Sequence, residues 1–227
     1  MAIKEAELQY VPGDTIIILT GKEELLYLGN QLHTFSRDLI IEHVTDISGL
    51  ENIIRSDSAG RKRLISFCND VIIPSRLLDV FPGPSYNFHP GPPTYPGNHV
   101  AGFALYEGAR QFGATAHIMT PQVDEGNIIG TEIFDIPQYC EFEMLEIMTY
   151  QAMLRLFDIL APKLANLDNE PQHMEAKWAG KKYSSKDLKP MFNAWATLNT
   201  SENLRRTHVF GFSVRQMRYK HLSLLFR

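Results

Sequence analysis

The sequence predicts an α/β protein with a mostly parallel central sheet and a small carboxyl-terminal appendage. Short apolar segments rich in β-branched residues alternate with segments whose apolar residues recur at helical spacing. Strands and helices that alternate in this way form a parallel sheet that helices cover on both faces. With 227 residues, 44% of them hydrophobic, the chain is long enough for one substantial domain and a small second unit.

The first half of the chain contains four predicted strands and three predicted helices. The first strand has the unbroken apolar run IIIL, which is typical of a strand buried on both faces. Gly21 ends this strand, and leucines at helical spacing follow it. Pro74 opens the third helix, where a missing N–H costs nothing. The predicted strands are residues 14–20, 39–44, 63–67 and 86–88, and the predicted helices are residues 23–33, 50–56 and 74–80.

The second half of the main domain contains a further helix, a pair of strands and a long amphipathic helix. The helix is predicted at residues 98–110, and the turn PQVDEG joins strands at residues 114–120 and 126–136. The long helix is predicted at residues 141–164. Its inner side is expected to carry Leu145, Met148, Met153, Leu156, Phe157 and Leu160.

The character of the sequence changes after about residue 166. A polar linker, NLDNEPQH, leads into a basic segment in which Ser184 or Ser185 is a candidate helix N-cap. The final stretch, residues 203–227, carries basic and aromatic side chains and no acidic residue. We therefore divide the chain into a main domain, residues 1–165, and a carboxyl-terminal extension, residues 166–227.

Composition and charge exclude several classes of protein. The net charge of -4 argues against general nucleic-acid binding. Two cysteines, Cys68 and Cys140, make no disulfide framework and favour a reducing compartment, and we expect Cys68 to be packed as a small apolar residue. The amino-terminal segment lacks the order of a signal peptide, and the longest apolar run is too short to cross a bilayer. We expect a soluble cytoplasmic protein with no membrane association.

Two polar residues stand directly before a rigid, proline-rich segment in the stretch YNFHPGPPTYPG. Asn87 and His89 come at the end of the fourth predicted strand, and Asp124 lies in the turn after the strand ATAHIMT. Because ligands gather beyond the carboxyl ends of parallel strands, these side chains are expected to meet at one edge of the sheet. An amide donor with a histidine held by a carboxylate can stabilise an oxyanion and move protons, which suits acyl transfer.

Other interpretations of these residues are less well supported. Asn87 and His89 could be turn residues without chemistry. His89, His99, His117 and Asp124 lack the short spacing of zinc or iron ligands, so we expect no metal site. The proline-rich stretch lies between two core elements, which makes it a poor ligand for a proline-recognising domain. No dinucleotide fingerprint, nucleophile elbow or phosphate loop is present in the sequence.

The order of these motifs resembles the folate-dependent formyltransferase family. Asn-x-His-Pro, a proline-rich loop ending in Gly97, and GATAHIMTPQVDEGNII follow one another as they do in that family. The family includes glycinamide ribonucleotide transformylase, methionyl-tRNA formyltransferase and the sugar N-formyltransferases. The resemblance covers roughly residues 14–165, and more faintly AKWAGKKYSSKDL, and it implies a Rossmann-like formyltransferase fold.

The resemblance implies transfer of a formyl group from 10-formyltetrahydrofolate, used as a co-substrate, to an amine. Asn87, His89 and Asp124 match the catalytic trio of the family. Asn87 and protonated His89 would stabilise the oxyanion, while Asp124 would orient His89 and help to remove a proton from the amine. His117 matches a supporting histidine. The family holds the pterin with main-chain groups of two loops, which here correspond to Phe67, Cys68, Asn69, Asp70, Val71, Ile72 and Ile73, and to Gln122 and Val123.

The sequence departs from the family pattern in ways that bear on the acceptor. The purine and initiator-tRNA enzymes usually read His-Pro-Ser-Leu-Leu-Pro, whereas here Gly91 replaces the serine. We also expect no appended barrel domain of the kind in the tRNA enzyme, because 227 residues are too few for it. What remains resembles the small enzymes that formylate amino sugars, often nucleotide-linked. The alternatives are formyl transfer to glycinamide ribonucleotide or methionyl-tRNA, hydrolysis of formyltetrahydrofolate, and folate binding without turnover.

The carboxyl-terminal extension has two interpretations. Its basic residues could contact phosphates of an acceptor, since arginine suits bidentate phosphate recognition. Alternatively, its apolar residues could pack at a dimer face while the charges stay solvated. We therefore expect a small-molecule amine and a folate as ligands, no membrane partner, and a possible homodimer.

Overall fold

The computed structural model describes residues 13–56, 60–193 and 199–210, and its α/β architecture confirms the predicted fold class. The chain forms two compact units, Met1–Ser85 with Ala161–Glu170, and Tyr86–Leu160 with Pro171–Arg227. The elements in chain order are β1 (Thr15–Leu19), α1 (Lys22–Phe35), β2 (Ile40–Val44), α2 (Ile47–Arg55), β3 (Lys62–Phe67), α3 (Ser75–Leu78), β4 (Tyr86–His89), α4 (Val100–Glu107), β5 (Gln111–Ile118), β6 (Ile128–Asp135), α5 (Phe142–Leu164), α6 (Ser185–Asn193) and α7 (Thr200–Phe210).

The first unit contains three parallel strands in the order β2-β1-β3. Thr15 pairs with Ile40 on one side and with Lys62 on the other, and the register continues along β1 without interruption. All five residues of β1 are buried, as its continuous apolar run predicts. The predicted parallel arrangement is confirmed in this unit.

The second unit contains three antiparallel strands in the order β4-β5-β6. Tyr86 pairs with Ile118 and His89 pairs with Thr115, so β4 and β5 run in opposite directions. The assumption that their carboxyl ends meet at one edge is therefore wrong for this pair. The sequence did not predict this antiparallel pairing, because the alternation of strands and helices does not by itself determine the direction of each strand.

Two helices have boundaries that differ from the predicted ones, because a capping residue determines where each helix begins or ends. α2 begins earlier than predicted because Asp46 is its N-cap and accepts a hydrogen bond of 2.8 Å from the Gly49 N–H. α4 ends earlier than predicted because Gly108 takes a left-handed conformation with φ 72° and closes the helix. Ser184 precedes α6, and Asp187 accepts from its backbone N–H at 3.0 Å, so the predicted N-cap is confirmed.

α5 packs through the face that the sequence predicted. The inner residues are buried, with Met148 half-buried: Leu145, Met153, Leu156, Phe157 and Leu160. Phe157 packs against Phe88 of β4 with ring centroids 5.3 Å apart. Among the helices that the structure describes, none has the length and apolar character needed to cross a membrane.

Part of the predicted carboxyl-terminal extension packs into the core of the second unit. Phe210 of α7 is buried, and its ring meets that of Phe103 on α4 at 5.3 Å. The Tyr183 ring stacks on the Phe103 ring, with the two centroids 4.1 Å apart. Residues 211–227, which hold most of the predicted basic tail, lie outside the described residues. The boundary at residue 165 stays a prediction.

A backbone bridge joins the end of the proline-rich segment to the carboxyl-terminal part of the second unit. Gly97 pairs with Tyr183, flanked by hydrogen bonds of 2.9 Å from Tyr183 N–H to Pro96 C=O and from Asn98 N–H to Tyr183 C=O. Gly97 has φ 97°, and a Cβ at this position would lie 1.9 Å from the Tyr183 carbonyl oxygen. Only glycine fits this bridge.

We predict that Gly97→Ala lowers the free energy of unfolding by more than about 3 kcal/mol, because it combines backbone strain with a clash. Gly108→Ala is the matched control: its φ is also positive at 72°, but nothing lies within 4 Å of its added Cβ. It should cost only about 1 kcal/mol. Denaturant unfolding of both variants measures the difference, and equal losses would contradict the argument from the bridge.

Candidate active site

The pairing of β4 with β5 brings two of the predicted side chains together. Asn87 and His117 are cross-strand partners, and Asn87 Nδ2 lies 3.1 Å from His117 Nε2. The β5–β6 register shifts at Ala116 and His117, a bulge of the kind that re-aims side chains next to functional sites. His117 is buried and Asn87 is half-buried, so the amide lies nearer to solvent than the ring.

His89 is held at both ring nitrogens. Its Nε2 lies 2.9 Å from the backbone oxygen of Tyr95, and its Nδ1 lies 3.5 Å from Asp124 Oδ2. A carbonyl oxygen can only accept, so Nε2 carries a proton and donates it to Tyr95. The ring is 4% exposed, and its orientation is determined by the proline-rich segment that follows it.

Asp124 reaches the histidines through the loop after β5. This residue has a left-handed backbone with φ 51°, an uncommon conformation that turns its side chain inward. Its Oδ1 lies 3.3 Å from His117 Nε2, and its Oδ2 accepts a hydrogen bond of 2.8 Å from the Gly97 N–H. The loop therefore brings Asp124 into direct contact with His89, and Asn87 is connected to Asp124 through His117.

Gly91 has a structural reason to replace the serine of the related motif. A Cβ at this position would lie 2.6 Å from His89 Nε2 and 3.0 Å from the Tyr95 backbone oxygen. It would therefore intrude on the hydrogen bond that holds the ring. Thr115 Oγ1 donates to the Gly91 carbonyl at 2.7 Å and fixes this backbone against β5.

The contact with His117 determines which N–H groups of the Asn87 amide are available to a ligand. Its Nδ1 lies 2.9 Å from the Ile118 backbone oxygen, which can only accept, so Nδ1 carries a proton. Without a proton, Nε2 accepts one N–H of the Asn87 amide at 3.1 Å; with a proton, it donates to Asp124 Oδ1 at 3.3 Å. The second amide N–H of Asn87 remains as a donor toward a ligand.

Trp178 is a part of the site that the sequence argument missed. Its ring meets His117 edge-on at 5.1 Å and His89 edge-on at 5.5 Å. Its Nε1–H donates to the Gly126 carbonyl at 2.8 Å, which orients the indole. The only available signal was its place in AKWAGKKYSSKDL, a segment with a faint family resemblance. Trp178 covers both histidines and lowers their contact with water.

The pKa of His89 is lowered from its ordinary value of 6.5. Burial is the largest cause, because it disfavours the charged ring. The Asp124 charge and the Tyr95 carbonyl act in the opposite direction, and His117 adds to the lowering. The neutral ring is therefore favoured at neutral pH, whereas the family resemblance implies a protonated His89.

The pKa of Asp124 is lowered below its ordinary value of 3.8. Burial is the largest single influence and raises it, but a hydrogen bond from His117, the charge that His89 carries when it is protonated, and the Gly97 N–H together outweigh burial. The carboxylate is therefore ionised in the folded protein across the neutral range, ready to accept hydrogen bonds or a proton.

The first predicted folate-binding segment, Phe67 to Ile73, lies in the first unit and follows β3. Phe67 is buried and accepts a hydrogen bond of 3.0 Å from Thr20 Oγ1 through its backbone oxygen. Cys68 is exposed with φ 48°, so the expectation of a packed Cys68 is wrong; it turns the chain out of the strand. Asn69 Oδ1 accepts from the Val71 N–H at 2.7 Å, and Ile72 is 69% exposed.

The second predicted folate-binding segment, Gln122 and Val123, lies directly before Asp124 in the second unit. The Gln122 carbonyl accepts from Thr120 Oγ1 at 2.8 Å, and the Val123 carbonyl accepts from Lys182 Nζ. The carbonyls of both residues are thus engaged within the protein. In the described residues, no group of three or more His, Cys, Asp or Glu side chains is arranged to hold a metal ion.

Comparison with known families identifies the segment that contains the site. Residues 65–147 match the family model described as formyl transferase. This match confirms the resemblance drawn from the sequence motifs. The matched segment includes both predicted folate-binding loops and the three predicted catalytic residues. A comparison with curated proteins finds no match.

Solved structures share the fold over most of the chain. A 4-N formyltransferase from Francisella tularensis has a TM-score of 0.67 at 16% identity, covering 86% of this chain and 87% of its own. This chain has the formyltransferase fold. An N-formyltransferase from Helicobacter canadensis, in complex with folinic acid and dTDP-3-aminofucose, has a TM-score of 0.63 at 14% identity, covering 89% of this chain and 84% of its own.

A third structure with the formyltransferase fold was crystallised with a nucleotide-linked sugar. The formyltransferase from Anoxybacillus kamchatkensis, in complex with UDP-4,6-dideoxy-4-formamido-L-AltNAc and tetrahydrofolate, has a TM-score of 0.62 at 16% identity. The alignment covers 87% of this chain and 97% of the other. The formyltransferase fold therefore extends beyond the matched segment into the residues that carry Trp178 and Tyr183.

We predict that His89 makes the stability of the protein fall as the pH drops below 6.5. The unfolded chain takes up a proton at this ring near its ordinary pKa of 6.5, whereas the folded chain, with its lowered pKa, does not. The contribution is complete above pH 6.5 and declines by up to about 1.4 kcal/mol per pH unit until the folded pKa is reached.

Unfolding of the wild type and of His89→Gln between pH 7.5 and pH 4.5 tests this pH dependence. The stability difference between the two proteins should shrink as the pH falls. Asp124 loses its contribution only at lower pH, since its folded pKa lies below 3.8. A constant difference between the two curves would show that the pKa of the folded His89 is not lowered.

Proposed function

We propose that this protein transfers a formyl group from 10-formyltetrahydrofolate to a primary amine of a small molecule. The observation that carries the proposal is the connected group formed by half-buried Asn87 and buried His89, His117 and Asp124, within the segment that matches the formyl transferase family. It combines an amide donor, an ionised carboxylate and a neutral imidazole. Acyl transfer to an amine requires these three functions.

Asn87 is the oxyanion donor in this proposal. The amine attacks the formyl carbon, the carbonyl electrons move to oxygen, and a tetrahedral oxyanion forms. One amide N–H of Asn87 is held by His117 at 3.1 Å, which leaves the other N–H pre-oriented for that oxygen. A donor that is already oriented needs no reorganisation when the charge develops.

In this proposal His89 and Asp124 accept the proton that the amine loses and transfer it to the folate nitrogen. Nδ1 of neutral His89 and Oδ2 of Asp124 both act as acceptors, 3.5 Å apart, so this pair can take the proton that the amine loses. Once the ring is protonated, the Asp124 charge and the Tyr95 carbonyl stabilise it. The same proton can then pass to the folate nitrogen as its bond to the formyl carbon breaks.

The folate is bound, in this proposal, by main-chain groups of Phe67, Cys68, Asn69, Asp70, Val71, Ile72 and Ile73, and of Gln122 and Val123. The support is the position of both segments inside the family match. Because the Gln122 and Val123 carbonyls already accept hydrogen bonds, their contribution to a ligand would come from their N–H groups. The neighbours crystallised with folinic acid or tetrahydrofolate support a reduced folate as the ligand.

The acceptor that we propose is an amino sugar, most simply a nucleotide-linked one. The support is the fold shared with the enzymes from H. canadensis and A. kamchatkensis, whose structures contain nucleotide-linked sugars. Residues 166–227 would supply contacts to this acceptor or to a second copy of the chain, acting as an extension of the domain formed by residues 1–165. We place the protein in the cytoplasm, which the low cysteine count supports.

We predict that Asp124→Asn lowers the kcat of formyl transfer by at least about 100-fold, because the proton acceptor and the partner of His89 are both lost. Folate affinity should change little. Asp135→Asn is the control, since Asp135 lies exposed at the end of β6, where its side chain accepts a hydrogen bond of 3.0 Å from the exposed Gln111. Release of tetrahydrofolate measures the rate, and full activity of Asp124→Asn would refute the assignment.

We predict that tetrahydrofolate release from 10-formyltetrahydrofolate depends on an amine. A panel of amines should include nucleotide-linked amino sugars, the corresponding free sugars and glycinamide ribonucleotide. Release that requires a nucleotide-linked amino sugar would support the proposed acceptor. Release without any amine would identify a hydrolase, and folate binding without release across the panel would favour a protein that only binds.

A further inference from the structure

An exposed carboxylate at the end of α4 joins two tyrosines from distant parts of the second unit. Glu107 Oε2 accepts a hydrogen bond of 3.0 Å from the Tyr95 hydroxyl, and Glu107 Oε1 accepts one from the Tyr183 hydroxyl. The two tyrosine rings are stacked, with centroids 6.2 Å apart. One carboxylate thus fixes two side chains that are 88 residues apart in the sequence (183 − 95).

Tyr95 is hydrogen-bonded directly to the predicted catalytic histidine. The backbone oxygen of Tyr95 accepts the hydrogen bond of 2.9 Å from His89 Nε2. The Tyr95 N–H donates to the Pro92 carbonyl at 2.9 Å, so the segment between the histidine and the tyrosine is a compact turn. A displacement of the Tyr95 ring would move the acceptor that defines the tautomer of His89.

Tyr183 is connected to the predicted catalytic aspartate through the backbone around Gly97. The backbone of Tyr183 makes hydrogen bonds of 2.9 Å with Pro96 and with Asn98, on either side of Gly97. The N–H of Gly97 donates to Asp124 Oδ2 at 2.8 Å. The position of Tyr183 therefore determines the position of the donor that holds the carboxylate.

We propose that Glu107 is a positioning residue that holds His89 and Asp124 in register through Tyr95 and Tyr183. This proposal rests on the function proposed above, because register between these two groups matters for the movement of a proton. A shift of about 1 Å at reacting groups can lower a rate by about 100-fold. Glu107 touches neither reacting group, and it acts through the backbones of the two tyrosines.

The geometry favours orientation over stability as the role of this carboxylate. Phe103 already packs on Tyr183 at 4.1 Å, so the aromatic packing does not need the hydroxyl. Burial raises the pKa of the Tyr95 hydroxyl to about 12, with Glu107 adding to the rise, and the pKa of Tyr183 is raised for the same reasons. Both hydroxyls are thus donors throughout the neutral range, and a carboxylate can accept from both.

Two other charged groups, Lys181 and Asp187, lie near Tyr183. Lys181 Nζ lies 4.9 Å from the centre of the Tyr183 ring and forms an ion pair of 2.6 Å with Asp187. Asp187 also accepts from Ser184 at the start of α6, so its carboxylate is engaged in capping. Neither group replaces Glu107 as the acceptor for the two hydroxyls.

The experiment compares Glu107→Ala with Glu132→Ala. Glu132 is a matched control because it is a surface glutamate of the same unit, paired with Arg155 at 2.9 Å. Glu107→Ala should lower the kcat of formyl transfer about tenfold or more and leave the KM for folate within about twofold. Glu132→Ala should change neither. A Glu107→Ala enzyme with unchanged kcat and only a lower melting temperature would overturn the proposal.

Two conservative variants keep the proposal falsifiable if Glu107→Ala does not fold. Tyr95→Phe and Tyr183→Phe each remove one hydroxyl and retain the ring. The hydrogen bond with the Tyr95 carbonyl raises the pKa of His89. If loss of the Tyr95 hydroxyl displaces this carbonyl, nuclear magnetic resonance of Tyr95→Phe should show a lower pKa of His89 than in the wild type. Tyr183→Phe should make the Gly97 amide exchange with solvent at least about tenfold faster. Unchanged values in both variants would overturn the proposal.

These spectroscopic readings also separate this proposal from the proposed function. They report the positions of His89 and Gly97 without any substrate. If the wild type transfers no formyl group but both readings shift as expected, the positioning role stands and the proposed function fails. If the wild type is active but neither reading shifts, the positioning role fails and the proposed function stands.

Discussion

The second unit depends on how one buried carboxylate is satisfied. Asp124 is 3% exposed, and its oxygens lie within 3.5 Å of His89, His117 and the Gly97 N–H. An ionised carboxylate in such a place is stable only while its partners are present, because burial alone strongly disfavours the charge. The β4–β5 pairing, the proline-rich segment and the bridge to Tyr183 each supply one of these partners. The arrangement that stabilises the carboxylate also brings together the side chains that the sequence predicts to be catalytic.

Several local conformations exist to make this arrangement possible. Asp124 has a left-handed backbone. The Tyr183 backbone lies so close to Gly97 that no side chain fits there, and the absence of a side chain at Gly91 leaves room for the His89 ring. Strained or special backbone positions commonly gather at functional sites, where the surrounding structure maintains them. The rigid segment after His89 is thus explained by its contacts: it carries the acceptor for His89 and the donor for Asp124.

Much of the fold was predictable from the sequence because burial leaves a clear pattern. The apolar run of β1 and the inner face of α5 are buried as predicted, since both patterns directly reflect which side chains must avoid water. The order of Asn87, His89 and Asp124 also identified the group that the structure brings together. Strand direction in the second unit was not predictable, because antiparallel pairing of β4 with β5 leaves no mark in composition.

The missed residues share a physical reason. Trp178 contacts His89 and His117, and Glu107 contacts Tyr183, across long sequence separations. A lone tryptophan or glutamate has no local pattern to reveal such a contact. Cys68 was expected in the core, but it lies in a left-handed turn just after β3, one residue beyond the buried strand. Boundaries such as the early end of α4 depend on the conformation of a single glycine.

The most direct test of the central claim follows the formyl carbon itself. The protein would be incubated with 10-formyltetrahydrofolate labelled with ¹³C in the formyl group and with a nucleotide-linked amino sugar, and the products separated by mass. Our account predicts one labelled formamide on the sugar for each tetrahydrofolate released, with the label absent from products of the His89→Ala protein. Recovery of the label as free formate, or release of tetrahydrofolate without a labelled sugar, would contradict it.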